Sequence, residues 1–172
     1  MKVNEQLDKR REQLNKILTE VSFYLHVTFI ATVINTVAGC VGASRIFVPY
    51  SLTSVQCSFE YAWFLVEKGR LVPSALMFVL SVTIAAIFVT ACFRMSANSG
   101  WATLLTVIMT VDGMLTVVLI ISRLTPVFYA LDLALHMFMI VQTIRAKRAS
   151  YGLSVLPNEE YEGDPFEDFA NK

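Results

Sequence analysis

Polar and apolar positions along this chain separate into long blocks. Four runs are apolar over about 20 residues, the length a helix needs to cross ~30 Å of hydrocarbon. They are Val21 to Ala43, Leu71 to Phe93, Trp101 to Ser122 and Leu124 to Ile144, and each predicts a transmembrane helix. A fifth stretch, Ile46 to Val66, is interrupted by Pro49, Gln56, Glu60 and several serines. A central carboxylate costs about 2.5–3.5 kcal/mol, against roughly 0.3–0.6 kcal/mol gained for each Leu, Ile, Val or Phe. This stretch is therefore expected to lie on the membrane or dip into it, as an interfacial or re-entrant outer segment.

Ahead of the first run, Val3, Leu7, Leu14, Ile17, Leu18 and Val21 recur at helical or heptad spacing among Lys9, Arg10, Arg11 and Lys16. That pattern predicts a basic amphipathic helix over residues 1–20, which lies on an anionic inner leaflet or pairs with a neighbour. After the fourth run, Arg145, Lys147 and Arg148 form a basic stop. From Tyr151 onward the periodicity ends, and Pro157, Gly163 and Pro165 accompany six acids between Glu159 and Asp168. Such a tail is expected to be disordered in water. Within it, Tyr161, Phe166 and Phe169 alternate with acids, as in a short docking motif for a basic cytoplasmic partner.

The fold class that follows is an all-α integral membrane protein. It has a cytoplasmic helix over 1–20, a four-helix membrane domain over 21–144 with an outer segment at 44–70, and a cytoplasmic stop and tail over 145–172. Charge sets its orientation. With both termini cytoplasmic, the inner side holds Lys2, Lys9, Arg10, Arg11, Lys16, Arg94, Arg145, Lys147 and Arg148, and the outer side only Arg45, Lys68, Arg70 and Arg123. Five spans would place the Arg145 to Arg148 cluster outside. The location expected is a plasma or inner membrane, crossed several times.

Composition agrees with that class: 55% of the 172 residues are hydrophobic and 16% charged. Fourteen basic against fourteen acidic residues leave no net charge, so nothing favours a nucleic acid as partner. The tetrapeptide Val37 to Cys40 matches the pattern at which bacterial lipoprotein signals are cut. The charged stretch of both signs ahead of it does not suit a signal peptide. Its small residues are better read as helix packing, since Ala38 with Gly42 and Gly39 with Ala43 are each four apart.

The residues that need a reason are the ionisable ones inside the spans. At about 1.5 Å per residue, counted from the outer ends, Asp112 lies ~15 Å deep, Asp132 ~12 Å and His136 ~18 Å. They are expected to meet. Asp132 and His136 are four apart and share a helical face, Asp112 shares one with Thr116, and on the first span Asn35 joins Thr28, Thr32 and Gly39 on a polar, small stripe. Intramembrane ionisable residues mark a proton, ion or substrate path, and polar residues of this kind also glue helices together.

Three function classes follow. The reading preferred is a non-enzymatic accessory or regulatory subunit of a membrane complex, in which Asp112, Asp132, His136, Asn35 and Thr116 specify assembly. The runner-up is a proton- or ion-coupled transport or channel component built on the same cluster, which needs a homo-oligomer or a larger complex to form a pathway. An intramembrane enzyme is remote, because the chain lacks the GxSxG, HExxH and glycine-rich phosphate-loop patterns. No cofactor and no metal site are expected, and His26 reads as an interface residue. Of the three cysteines, Cys40 and Cys57 fall on the outer side, where a disulfide could persist, although three buried free thiols are the plainer expectation.

Overall fold

A computed structural model describes residues 2–41, 48–122 and 129–156. Among these residues the chain is all-helical, in the order α1 (Lys2–Cys40), α2 (Thr53–Glu67), α3 (Leu71–Arg94), α4 (Ser99–Ile121) and α5 (Tyr129–Val155). Three of the helices, α1 over Glu5–Cys40, α3 and α4, are long and apolar enough to cross a membrane. Their outer faces suit that medium: Leu76 and Val79 on α3 and Val111 on α4 are each about 60% exposed. The fourth expected span began at Leu124, and its first residues lie outside those described.

Helix ends follow local chemistry. The α2–α3 turn is closed at Gly69, whose φ of +70° suits the left-handed position. The Gly69 N–H donates to Val66 O and the Arg70 N–H to Leu65 O, both at 2.9 Å, which satisfies the last carbonyls of α2 in a Schellman arrangement. At the start of α4, the Asn98 side chain accepts from Gly100 N–H at 2.7 Å, an N-cap where one is needed. By contrast α2 starts at Leu52, which has no side-chain acceptor to offer.

Contacts fix the directions. Ser74 Oγ donates to Ala62 O and Ser81 Oγ to Val55 O, so α3 runs antiparallel to α2. Leu52 meets Thr32 and Glu60 lies against Gly39, so α2 runs parallel to α1. Gly113 faces His136, and Thr103 and Thr106 share a groove with Lys147 and Tyr151, so α4 and α5 are antiparallel. Residues 48–52 run back along α1 from the level of Asn35 to that of Thr32, so α2 begins about 12 Å below the α1 terminus.

Two boundaries differ from the sequence expectation. The amphipathic segment and the first span are one continuous helix of 39 residues, because nothing between Lys2 and Cys40 breaks the backbone. The basic stop is also helical. α5 continues to Val155 rather than giving way at Tyr151, since Gly152 packs against Leu14 and the pair supplies the tertiary contact the segment lacks by itself. The basic N-terminal helix has accordingly found its neighbour within the chain. Leu14, Leu18, Val21 and Leu25 of α1 share one apolar core with Phe88, Met95, Leu105, Met139, Ala146 and Ala149.

Candidate functional site

Residues 48–52, which run back along α1, are not helical. Such backbone must find acceptors for every N–H when it is buried away from water. Pro49 has no N–H to satisfy. Tyr50 follows it with φ +87°, a left-handed conformation that costs a non-glycine residue of order 1–3 kcal/mol and persists only when its surroundings hold it. The holding groups are side chains on three other helices.

Asn35 of α1 binds Val48 from both sides: its Nδ2 donates to Val48 O at 2.7 Å and its Oδ1 accepts from Val48 N–H at 2.8 Å. Asp132 of α5 accepts at Oδ1 from Tyr50 N–H at 2.6 Å and Ser51 N–H at 3.3 Å. Thr32 of α1 accepts from Leu52 N–H at 2.7 Å. Asp112 of α4 accepts from Thr53 N–H at Oδ2, 2.8 Å, and from Ser54 N–H at Oδ1, 2.7 Å. Five successive amides, 50–54, therefore donate to side chains. Asp112 acts, from another helix, as the N-cap that Leu52 cannot supply, and Asp132 holds the two amides that precede it.

His136 of α5 completes the arrangement. Its Nδ1 lies 2.8 Å from Asp132 O, a carbonyl that can only accept, so Nδ1 carries a hydrogen. Its Nε2 lies 2.6 Å from Asp112 Oδ2, with one proton between them. Asp132 Oδ2 stands 3.7 Å from the Nδ1 edge of the ring, and the Thr53 hydroxyl bridges Thr116 at 2.8 Å and Asp132 at 3.4 Å. Asp112, Thr116, Asp132 and His136 are each at most 1% exposed. The N-terminus of α2, equivalent to roughly half a positive charge, and four backbone N–H donors face the two carboxyl groups.

Compared with protein families, curated proteins and solved structures, the chain gives no match. The site therefore speaks through its geometry alone.

That geometry brings together Asp112, Asp132, His136 and Thr116, four of the five residues the sequence singled out for one cluster, while the fifth, Asn35, holds Val48 of the same segment. It adds Thr53 and the backbone of 50–54, which sequence reasoning passed over, and gives Thr32, expected only on the Asn35 stripe, the Leu52 amide as its partner. The signal was present in the run Pro49 to Ser54, whose hydroxyl residues counted as obstacles to spanning and whose proline counted as an obstacle and a turn former, with no acceptor assigned to the amides that follow it. A helix that starts on a leucine beneath a proline needs outside acceptors, and the nearby spans held two aspartates expected to meet only His136 and each other.

Other predicted residues fare variously. Ala38 is buried and Gly39 lies beside Glu60, so this small-residue patch serves α2. Gly42, Ala43, Tyr161, Phe166 and Phe169 lie outside the described residues. The possible bridge between Cys40 and Cys57 is not formed, and Cys40, Cys57 and Cys92 are free thiols. The α1–α2 register explains this: Cys57 stands level with Thr36, about 6 Å along the axis short of Cys40. His26 contacts its own helix, Nδ1 lying 2.6 Å from Ser22 O, and meets Phe93 edge-on. Among the described residues, no group of three or more acids, histidines or cysteines is placed to hold a metal ion.

Proposed function

We propose that this chain is a four-span membrane protein with both termini in the cytoplasm, serving as a non-enzymatic accessory or regulatory subunit of a larger complex in a plasma or inner membrane. The observation that carries this reading is the closure of the Asp112, Asp132 and His136 cluster. A group that passes ions or protons must exchange partners with water or cargo. Here both Asp112 oxygens and both His136 nitrogens are committed to protein partners, and the residues are at most 1% exposed. Polar residues used in this way specify one assembly. The surfaces left for partners are the apolar helix faces, including Phe23, Ile30 and Val37 of α1.

A transport component is the second reading, and the single proton between His136 and Asp112 is what favours it. An intramembrane enzyme is remote, because water has no access to carboxylates this deeply covered. Copurification from native membranes should yield a stable heteromeric complex, and the purified chain should leave a proton gradient across liposomes intact. Proton flux that disappears in Asp112→Asn would replace the accessory reading with the transport one. Cysteine labelling at positions 4 and 168 should report the same side of the membrane, and opposite sides would mean that the four-span topology is wrong.

A further inference from the structure

Between the N-terminal half of α4 and the C-terminal half of α5 lies a groove of about 400 Å³, lined by Thr103, Thr106, Val107, Ile144, Lys147, Arg148 and Tyr151. We infer that this groove is a binding site for the headgroup of an anionic phospholipid, clamped by Lys147 and Arg148. The inference rests on the membrane reading above.

Three observations carry it. The first is charge. Lys147 and Arg148 are both exposed, no ion pair engages either among the described residues, and no acid lines the groove. The second is depth. Counted from Ile121 and Tyr129, Thr106 is about 22 Å, Thr103 and Lys147 about 27 Å and Arg148 about 28 Å along their helices. In a hydrocarbon layer ~30 Å thick, the cations stand where headgroup phosphates lie.

The third is the order of the lining. Val107 and Ile144, both exposed and apolar, lie toward the middle of the helices, where an acyl chain would run, whereas Tyr151 sits beyond the cations, at the level interfacial aromatics occupy. The hydroxyls of Thr103 and Thr106 donate to Ser99 O and Ala102 O on their own helix. The donors available to a phosphate are therefore those of Lys147, Arg148 and Tyr151, and Arg148 can present two parallel N–H groups to its oxygens. Basic pockets between helices at a cytoplasmic interface bind lipid headgroups in this manner.

The test uses the full-length protein in mild detergent, with bound lipid read by native mass spectrometry. Phosphatidylglycerol should be retained roughly tenfold better than phosphatidylcholine at equal concentration. Lys147→Gln with Arg148→Gln should erase that preference, and Lys147→Arg should keep it. Equal retention of the two lipids by the native chain, or a preference that survives the double substitution, overturns the proposal. So does competition by millimolar inorganic phosphate, which would mark a site for free anions. Binding that appears only after removal of residues 157–172 would make the acidic tail the native occupant and likewise overturn it. Alkaline carbonate extraction separates the two levels: a chain that stays in the membrane pellet without lipid preference loses only the groove, and a chain that is released loses the membrane reading as well.

Discussion

Two halves of the bundle are held together by opposite means. Around the start of α2, backbone amides and polar side chains from α1, α4 and α5 meet at fixed distances and angles. Toward the other end, Leu14, Leu18, Val21, Leu25, Phe88, Met95 and Leu105 pack as an apolar core whose attractions have no direction. Apolar packing tolerates exchange of one shape for a similar one. The polar half does not, because removing one partner leaves buried donors with nowhere to turn. The difference teaches which half defines the structure: the apolar half brings the helices together, and the polar half decides where α2 begins.

Breaking the polar half should have the largest effect. Asp112→Ala strands the N–H groups of Thr53 and Ser54 and leaves His136 Nε2 without its partner. Losing one member of a buried charge pair costs about 3–5 kcal/mol. Reversible unfolding in detergent should show that loss. In the apolar half, Leu25→Ala should cost about 2–4 kcal/mol and Leu25→Met under about 1.5 kcal/mol. A polar site would not show this forgiveness, and equal costs for the two substitutions would remove the distinction between the halves.

Much of this contrast was legible in the sequence, and the reason is depth. Asp112, Asp132 and His136 lie at one level when counted along their spans, so their meeting follows from the rise of a helix. The apolar faces follow from periodicity. What the cluster holds was not legible, because its ligands are backbone N–H groups, which every residue except proline carries alike. The fold back of residues 48–52 depends on a left-handed Tyr50, a conformation that tyrosine gives no reason to expect. The helical end of α5 escaped for a related reason: Tyr151 to Val155 has no strong periodicity of its own and gains order from Leu14, more than a hundred residues away.

Smaller changes sharpen the comparison. Asp112→Asn and Asp132→Asn act on one network through His136 and Thr53, so the double variant should depart from the sum of the single ones by about 0.5–3 kcal/mol. Strict additivity would mean that the two acids hold α2 independently. Tyr50→Gly should relieve about 1 kcal/mol or more of backbone strain, offset by the lost contact of its hydroxyl with Met139. A net change within about 1 kcal/mol is therefore the expected result for that variant, the smallest of the series.

The central claim is that two aspartates fix the start of α2, Asp112 of α4 capping its first two amides and Asp132 of α5 holding the pair at residues 50 and 51 ahead of it. Residue-resolved amide hydrogen exchange in detergent micelles tests it most directly. In the native chain the amides of residues 50–54 should exchange slowly although only the last two lie inside a helix. Asp132→Asn should speed exchange first at Tyr50 and Ser51, and Asp112→Asn first at Thr53 and Ser54, with the amides around Leu105 unchanged in both. Fast exchange across 50–54 in the native chain, or the same uniform loss of protection in both variants, would contradict the account.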